Sequence, residues 1–216
     1  MTWELNGGVY GYRPGTTSGL YIDGKTLKYR AGNQPETASV ELSGLATTGG
    51  LKFNGNRLYL YPSNFSADGV SIVSNSGYSF YLDNGNYSDK TFTADADNNI
   101  IYNYGSNIRI SGGDGNNTIH LSKGSNVTID AAEGSNTINL SDNVKYFKVL
   151  GFGADDVISV YRKITAVEAN EYGDLVFTTA IGSVHVEGLQ YPAEETNWQF
   201  AEGSASLVPQ TLAGSV

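Results

Sequence analysis

Cysteine is absent from the 216 residues, which excludes disulfides, thiolate metal sites and cysteine nucleophiles. Histidine occurs only at His120 and His185, too few for a histidine-rich metal centre. Basic side chains are sparse: 13 Lys and Arg stand against 22 Asp and Glu, and a net charge of −9 leaves no basic footprint for nucleic acid. No uncharged apolar run approaches the roughly 18–20 residues of a membrane-spanning helix, so no membrane insertion is expected. Helical periodicity is missing, and neither G-x-S-x-G nor H-E-x-x-H occurs. The opening Met1-Thr2-Trp3-Glu4-Leu5 lacks the basic and apolar regions of a signal peptide and reads as an interior start within a larger parent chain.

Gly, Asn and Ser are abundant instead, and aromatics reach 12%, mostly tyrosine. Charged residues are only 16%, so the low-hydrophobicity, high-charge signature of disorder does not apply. Apolar residues come as short alternations, each a strand with one buried face: Leu20-Tyr21-Ile22, Val40-Glu41-Leu42, Leu51-Lys52-Phe53, Leu58-Tyr59-Leu60, Val70-Ser71-Ile72 and Phe80-Tyr81-Leu82. The series continues with Ile108-Arg109-Ile110, Ile119-His120-Leu121, Val127-Thr128-Ile129 and Ile138-Asn139-Leu140, separated by Gly, Asn, Ser and Asp as turns require.

Residues 105–123 and 124–142 align without a gap over 19 positions with ten identities, Gly105/Gly124, Gly115/Gly134, Asn117/Asn136 and Ile119/Ile138 among them. Each copy holds two strands and two turns, so one copy is one coil of a solenoid stacked on the next. Ile and Leu point inward and Arg109, His120, Thr128 and Asn139 outward; Asn107 stacks on Asn126, and Asn117 on Asn136. Upstream, 97–102 is placed 19 residues before 116–121; downstream, 153–160 echoes 134–140 with one insertion. The expected fold is all-β: a parallel β-roll or β-solenoid with coils of about 19 residues. Residues 1–50 are assigned to an N-terminal β cap, 51–160 to the solenoid, 161–200 to an antiparallel β-meander cap, and 201–216 to a tail or linker. Tyr172-Gly173-Asp174 and Ile181-Gly182-Ser183 are the turns of that meander.

Gly112-Gly113-Asp114-Gly115-Asn116-Asn117-Thr118-Ile119-His120 resembles the nonapeptide G-G-x-G-x-D-x-U-x of haemolysin-type calcium-binding (RTX) repeats, and the resemblance extends over about 95–160. It implies a parallel β-roll with calcium in the turns, held by the sixth-position Asp and by carbonyls. Here that position is Asn117, then Asn136; the half-coils at Asn107 and Asn126 are one residue short; and Gly112-Gly113 becomes Ala131-Ala132. Amide oxygens ligate calcium without charge. A degenerate roll that folds without metal is therefore expected. The candidate ligands for any calcium are Asp114, Asn117, Asp130, Glu133 and Asn136, with Asp142, Asp155 and Asp156 as further carboxylates.

Asp155-Asp156 also has the form of a paired-carboxylate acid/base site, against which stands a plain turn before the strand 157–160. Tyr59, Tyr61, Tyr78, Tyr81, Tyr87, Tyr102 and Tyr104 are candidates for one flank on which sugar rings would stack; of these, all but Tyr87 are assigned as ligand-binding residues. The Asn-x-Ser/Thr sequons follow from composition, and the outward positions form no regular threonine array. The reading is a non-enzymatic structural or adhesive module of an extracellular or bacterial cell-surface protein, without a required cofactor, partnered by a glycan or other surface ligand. A calcium-dependent or carbohydrate-binding module is the alternative, with a polysaccharide-active enzyme behind it.

Overall fold

A computed structural model describes residues 57–74, 79–94, 99–132, 134–153 and 155–190, with the backbone of short strands on either side. A hairpin, β1 (Glu4–Asn6) and β2 (Val9–Gly11), is followed by an antiparallel meander of β3 (Gly19–Asp23), β4 (Thr26–Arg30) and β5 (Ala38–Ser43). β6 (Lys52–Asn54) then pairs antiparallel with β7 (Arg57–Leu60).

From β7 to β17 the chain changes sheet at every strand. The elements are β8 (Gly69–Ser74), β9 (Ser79–Leu82), β10 (Asn86–Ala94), β11 (Ile100–Asn103), β12 (Ser106–Ser111), β13 (Asn116–Leu121), β14 (Val127–Asp130), β15 (Ser135–Leu140), β16 (Tyr146–Leu150) and β17 (Val157–Val160). Odd-numbered strands β7 to β17 pair in parallel in one sheet, and even-numbered β8 to β16 do so in the other. This is a β-solenoid. The two repeat copies lie in register: Ile108 pairs with Val127, Ile110 with Ile129, Ile119 with Ile138 and Leu121 with Leu140. A one-residue slip would carry every inward side chain to the solvent face, so the period-2 pattern pins this register.

The core lies between the two sheets. The odd sheet contributes Leu58, Phe80, Ile101, Ile119, Ile138 and Ile158, and the even sheet Val70, Phe92, Ile110, Ile129 and Val149, all within 2% of full burial. The bulk is concentrated early, where Phe80 meets Phe92 at 5.4 Å between ring centroids and Phe65 meets Tyr87 at 4.7 Å. Later coils use mainly Ile, Val and Leu, with Phe147 of β16 the large exception; the branched side chains fit a pleated surface.

At the C-terminal end β18 (Ile164–Ala169), β19 (Asp174–Thr179) and β20 (Gly182–Gln190) form an antiparallel meander, and β20 joins the even sheet parallel to β16. Its Ile164, Leu175, Phe177 and Val186 belong to the common core, so the meander covers the open end of the coil stack. Both predicted turns are present, with Gly173 and Gly182 at φ of 85° and 122°. β21 (Trp198–Phe200) pairs with β23 (Pro209–Thr211), and between them β22 (Ser206–Leu207) pairs antiparallel with β17. Strands therefore run through the segment expected as a tail or linker. Among the described residues no helix is long and apolar enough to cross a membrane.

One register differs from the sequence-based alignment. The coil before residue 105 is one residue shorter than expected: Ile101, not Ile100, stands over Ile119, and Asn99, not Asn98, stands over Asn117. Ile100 faces outward at 38% exposure. With two adjacent isoleucines, apolarity alone cannot choose which one turns inward; the buried asparagine at 99 does.

Candidate functional site

Two features concentrate chemistry: an amide ladder inside one corner of the coil, and an aromatic row on the outer face of the odd sheet. The corner ladder begins where even strands pass to odd strands. Asn99, Asn117, Asn136 and Asp156 occupy it in successive coils, each no more than 3% exposed. Asn117 Oδ1 accepts from the backbone N–H and side-chain amide of Asn99, both at 3.1 Å. Asn117 Nδ2 donates to Asn136 Oδ1 at 3.2 Å and to the Gly113 carbonyl at 3.0 Å. Asn136 in turn donates through its backbone N–H and Nδ2 to Asp156 Oδ1, at 2.7 and 3.1 Å.

The ladder has a direction, since each oxygen accepts from the coil before it. Its last member needs only acceptors, which is the chemistry of a carboxylate. Asp156 fills that role and also accepts from Gly153 N–H at 2.6 Å. Burial raises the Asp156 pKa above the ordinary carboxylate value, and the N–H groups of Gly153 and Asn136 pull it back. Asp155 is exposed while Asp156 is buried, so the paired carboxylates have separate surroundings. A second, exposed ladder runs along the opposite corner. Asn126 Nδ2 donates to Asn107 Oδ1 at 2.9 Å, and Asn107 Nδ2 to Asn86 Oδ1 at 3.0 Å. Asn107 and Asn126 both have φ of 53°, a left-handed conformation asparagine tolerates.

The calcium candidates fall in different surroundings. Asn117 and Asn136 point into the corner, Asp114 is exposed in the turn, and Asp130 faces out from the even sheet in an ion pair with Arg109. Glu133 lies outside the described residues. Among the described residues no group of three or more His, Cys, Asp or Glu is arranged to hold a metal ion. The carbonyl of Gly113 receives the Asn117 amide.

On the outer face of the odd sheet, Tyr59, Tyr81, Tyr102 and His120 occupy paired positions on four consecutive strands. Their rings stack with centroids 4.7, 4.5 and 4.5 Å apart and interplanar angles of 22°, 13° and 5°. The strand spacing of about 4.8 Å imposes this distance, so in-register aromatics stack face to face. The Arg57 guanidinium sits 5.5 Å from the Tyr81 ring centre. Partial burial lifts the Tyr81 pKa and lowers that of His120. One step further along the same strands, strand alternation places Tyr61, Asp83 and Tyr104 on the same face. The backbone bonds Asp83 N–H to Leu60 O and Tyr104 N–H to Leu82 O, both 2.9 Å, carry the register to them.

Five of the six assigned tyrosines thus share a face, and Tyr78 lies outside the described residues. Tyr87 departs from the expected flank: it is 1% exposed and donates its hydroxyl to Asp83 O at 2.8 Å and Leu60 O at 3.1 Å. Burial pushes its pKa up strongly. The geometry also changes what the row offers. Ring faces are spent on each other, so the row presents ring edges and hydroxyls to a ligand. His120, outward on β13 as its alternation with Ile119 and Leu121 requires, becomes the fourth ring through strand pairing.

On the even sheet's outer face, Lys148 pairs with Glu187 at 2.9 Å, and Glu187 also accepts from Tyr146, whose pKa is pushed up to about 12 by that bond. No family model matches the chain, and neither does any curated protein or solved structure with which it was compared.

Proposed function

We propose that this chain is a non-enzymatic structural module, a stiff degenerate RTX-like roll of a bacterial cell-surface or secreted protein, with the tyrosine face as its adhesive surface. The observation that carries the reading is the set of five tyrosines and His120 gathered on one outer face of a continuous sheet. The six rings are half-buried, and a contiguous aromatic patch on an outer face is a feature of interaction sites. A row of edges and hydroxyls suits a neutral, hydroxylated polymer lying along the solenoid axis, so a glycan is the partner class. Binding on a glycan array should fall about tenfold or more for Tyr81→Ala combined with Tyr102→Ala, with the fold retained. Absence of any glycan signal from the unmodified chain would remove the adhesive role and leave a spacer.

The amide ladder supports folding without metal. Asn117 and Asn136 provide the corner with donors that a cation would otherwise replace. The melting temperature is expected to stay constant within about 1 °C between millimolar calcium and a chelator, because a ligand must bind the folded state to stabilise it. A clear rise with calcium would favour the calcium-dependent reading.

A further inference from the structure

The corner that carries the chain from β9 to β10 is Asp83-Asn84-Gly85, at the rim of the tyrosine face. The main chain of Asp83 is held from two directions. Its N–H donates to Leu60 O at 2.9 Å, and its carbonyl accepts the buried Tyr87 hydroxyl at 2.8 Å. Gly85 is held as well: its carbonyl accepts Ser106 N–H at 2.8 Å, and a Cβ on it would lie 2.6 Å from Pro62 Cγ. Asn84, between them, is exposed. Its N–H donates to Asp83 Oδ1 at 2.7 Å. Among the described residues, neither its side-chain amide nor the Gly85 N–H has a hydrogen-bond partner.

That combination sets Asn84 apart from every other described asparagine. Asn99, Asn117 and Asn136 have their amides tied into the buried ladder, and Asn107 and Asn126 into the exposed one. Each described asparagine except Asn84 also precedes a residue with a side chain, which crowds the following amide nitrogen. Glycine at 85 brings no Cβ and the widest backbone freedom, so its nitrogen can reach the Asn84 side-chain carbonyl carbon.

We propose that Asn84-Gly85 is a site of spontaneous covalent modification, at which Asn84 converts to isoaspartate and aspartate and adds a negative charge beside Asp83. The Gly85 nitrogen gives its proton to hydroxide and attacks Asn84 Cγ. The new N–Cγ bond closes a succinimide ring while the Cγ–Nδ2 bond breaks, and ammonia leaves with a proton from water, which restores the hydroxide. Water then opens the ring. Cleavage at Cγ gives aspartate; cleavage at the main-chain carbonyl gives isoaspartate, whose backbone runs through Cγ and is one carbon longer. Water is consumed and ammonia released, with no change of oxidation state. The extra carbon falls between two held residues, so the corner must shift and strain the Tyr87 and Ser106 bonds. Aspartate at the same exposed position disturbs neither.

The test keeps the full chain in mildly alkaline buffer and follows each asparagine by peptide mass mapping, with isoaspartate read by isoaspartyl methyltransferase labelling. Asn84 should convert at least about tenfold faster than any other described asparagine, faster still as pH rises, with isoaspartate among the products. Asn84→Gln, whose longer side chain requires a larger ring, should stay unmodified at 84 over the same period. The isoaspartyl form, separated by ion exchange, should melt about 2–4 °C below Asn84→Asp, which carries the same charge on a backbone of native length. Conversion of Asn84 no faster than its counterparts, or to aspartate alone, would overturn the site. Equal melting of the isoaspartyl form and Asn84→Asp would overturn the strain assigned to the corner.

Discussion

Replacing Asn117 by alanine is expected to lower the unfolding free energy by about 3–5 kcal/mol, an unusually large loss for a polar residue. The side chain is 1% exposed and connects three coils. Without it, the backbone N–H and Nδ2 of Asn99 lose their shared acceptor, and Asn136 Oδ1 and Gly113 O lose a donor. Each buried group left unpaired costs about 1–3 kcal/mol, and retained alternative partners reduce the total. Asn99 keeps two, the carbonyls of Ala94 at 3.2 Å and Gly112 at 2.8 Å. Urea unfolding of the two proteins measures the difference, and a loss below about 1 kcal/mol would show that water replaces the ladder. Asn117→Asp separates the hydrogen-bonding role from a latent metal role. It sets a buried carboxylate oxygen against Gly113 O and Asn136 Oδ1, which is repulsive unless a cation enters. Destabilisation with no recovery in millimolar calcium is expected.

The same ladder explains why two residues that weaken a calcium motif strengthen a metal-free coil. A carboxylate in every coil would stack like charges at the strand spacing, and each would need a cation. An amide both donates and accepts, so Asn99, Asn117 and Asn136 satisfy one another, and a single carboxylate suffices at the end, where Asp156 stands. The coil is held by an apolar core on one side of the corner and by this polar chain within it.

The central coils were readable because the copies at 105–123 and 124–142 repeat strand, turn and ladder positions together, so any one feature fixes the others. The outer coils lost that redundancy. Ile100-Ile101 gave two inward choices, and only the hydrogen bonds of Asn99 decide between them. β10 has no clean alternation to mark it as a strand: Asn86–Ala94 is polar at alternate positions but interrupted by Ser88 and Asp89 at φ of 55° and 60°. Tyr87 is invisible as a core residue from its neighbours, because its burial depends on carbonyls of Leu60 and Asp83 reaching its hydroxyl. Asn103, fully buried in a column with Leu60, Leu82, Leu121, Leu140 and Val160, is explained by its two bonds to Gly105, at 3.1 Å each. The tyrosine face was legible as composition, but its stacking needed the pairing of strands about 20 residues apart, which propensity does not encode.

Gly134→Ala is the second substitution with a large expected effect, a loss of about 2–5 kcal/mol. Gly134 has φ of 71°, and a Cβ there would lie 1.9 Å from the carbonyl oxygen of Gly115 and 2.7 Å from its nitrogen. Both contacts are backbone, one coil below, so no side chain can move aside; the coils themselves must separate. Separation would lengthen the Ser135 N–H bond to Gly115 O, 2.9 Å in the native coil, and disturb the Asn136 position beside it. Gly124 repeats the situation over Gly105, its Cβ falling 2.1 Å from the carbonyl oxygen at φ of 113°. The glycine identities of the repeat are therefore steric: they mark where one coil's backbone rests on the next. Gly153→Ala is the control, because among the described residues its Cβ would meet only Asp156 Oδ2 at 3.7 Å. Its change should stay within about 0.5 kcal/mol. Thermal and urea unfolding of the two variants should differ accordingly; similar stability for both would mean the coils are not packed backbone to backbone at this turn.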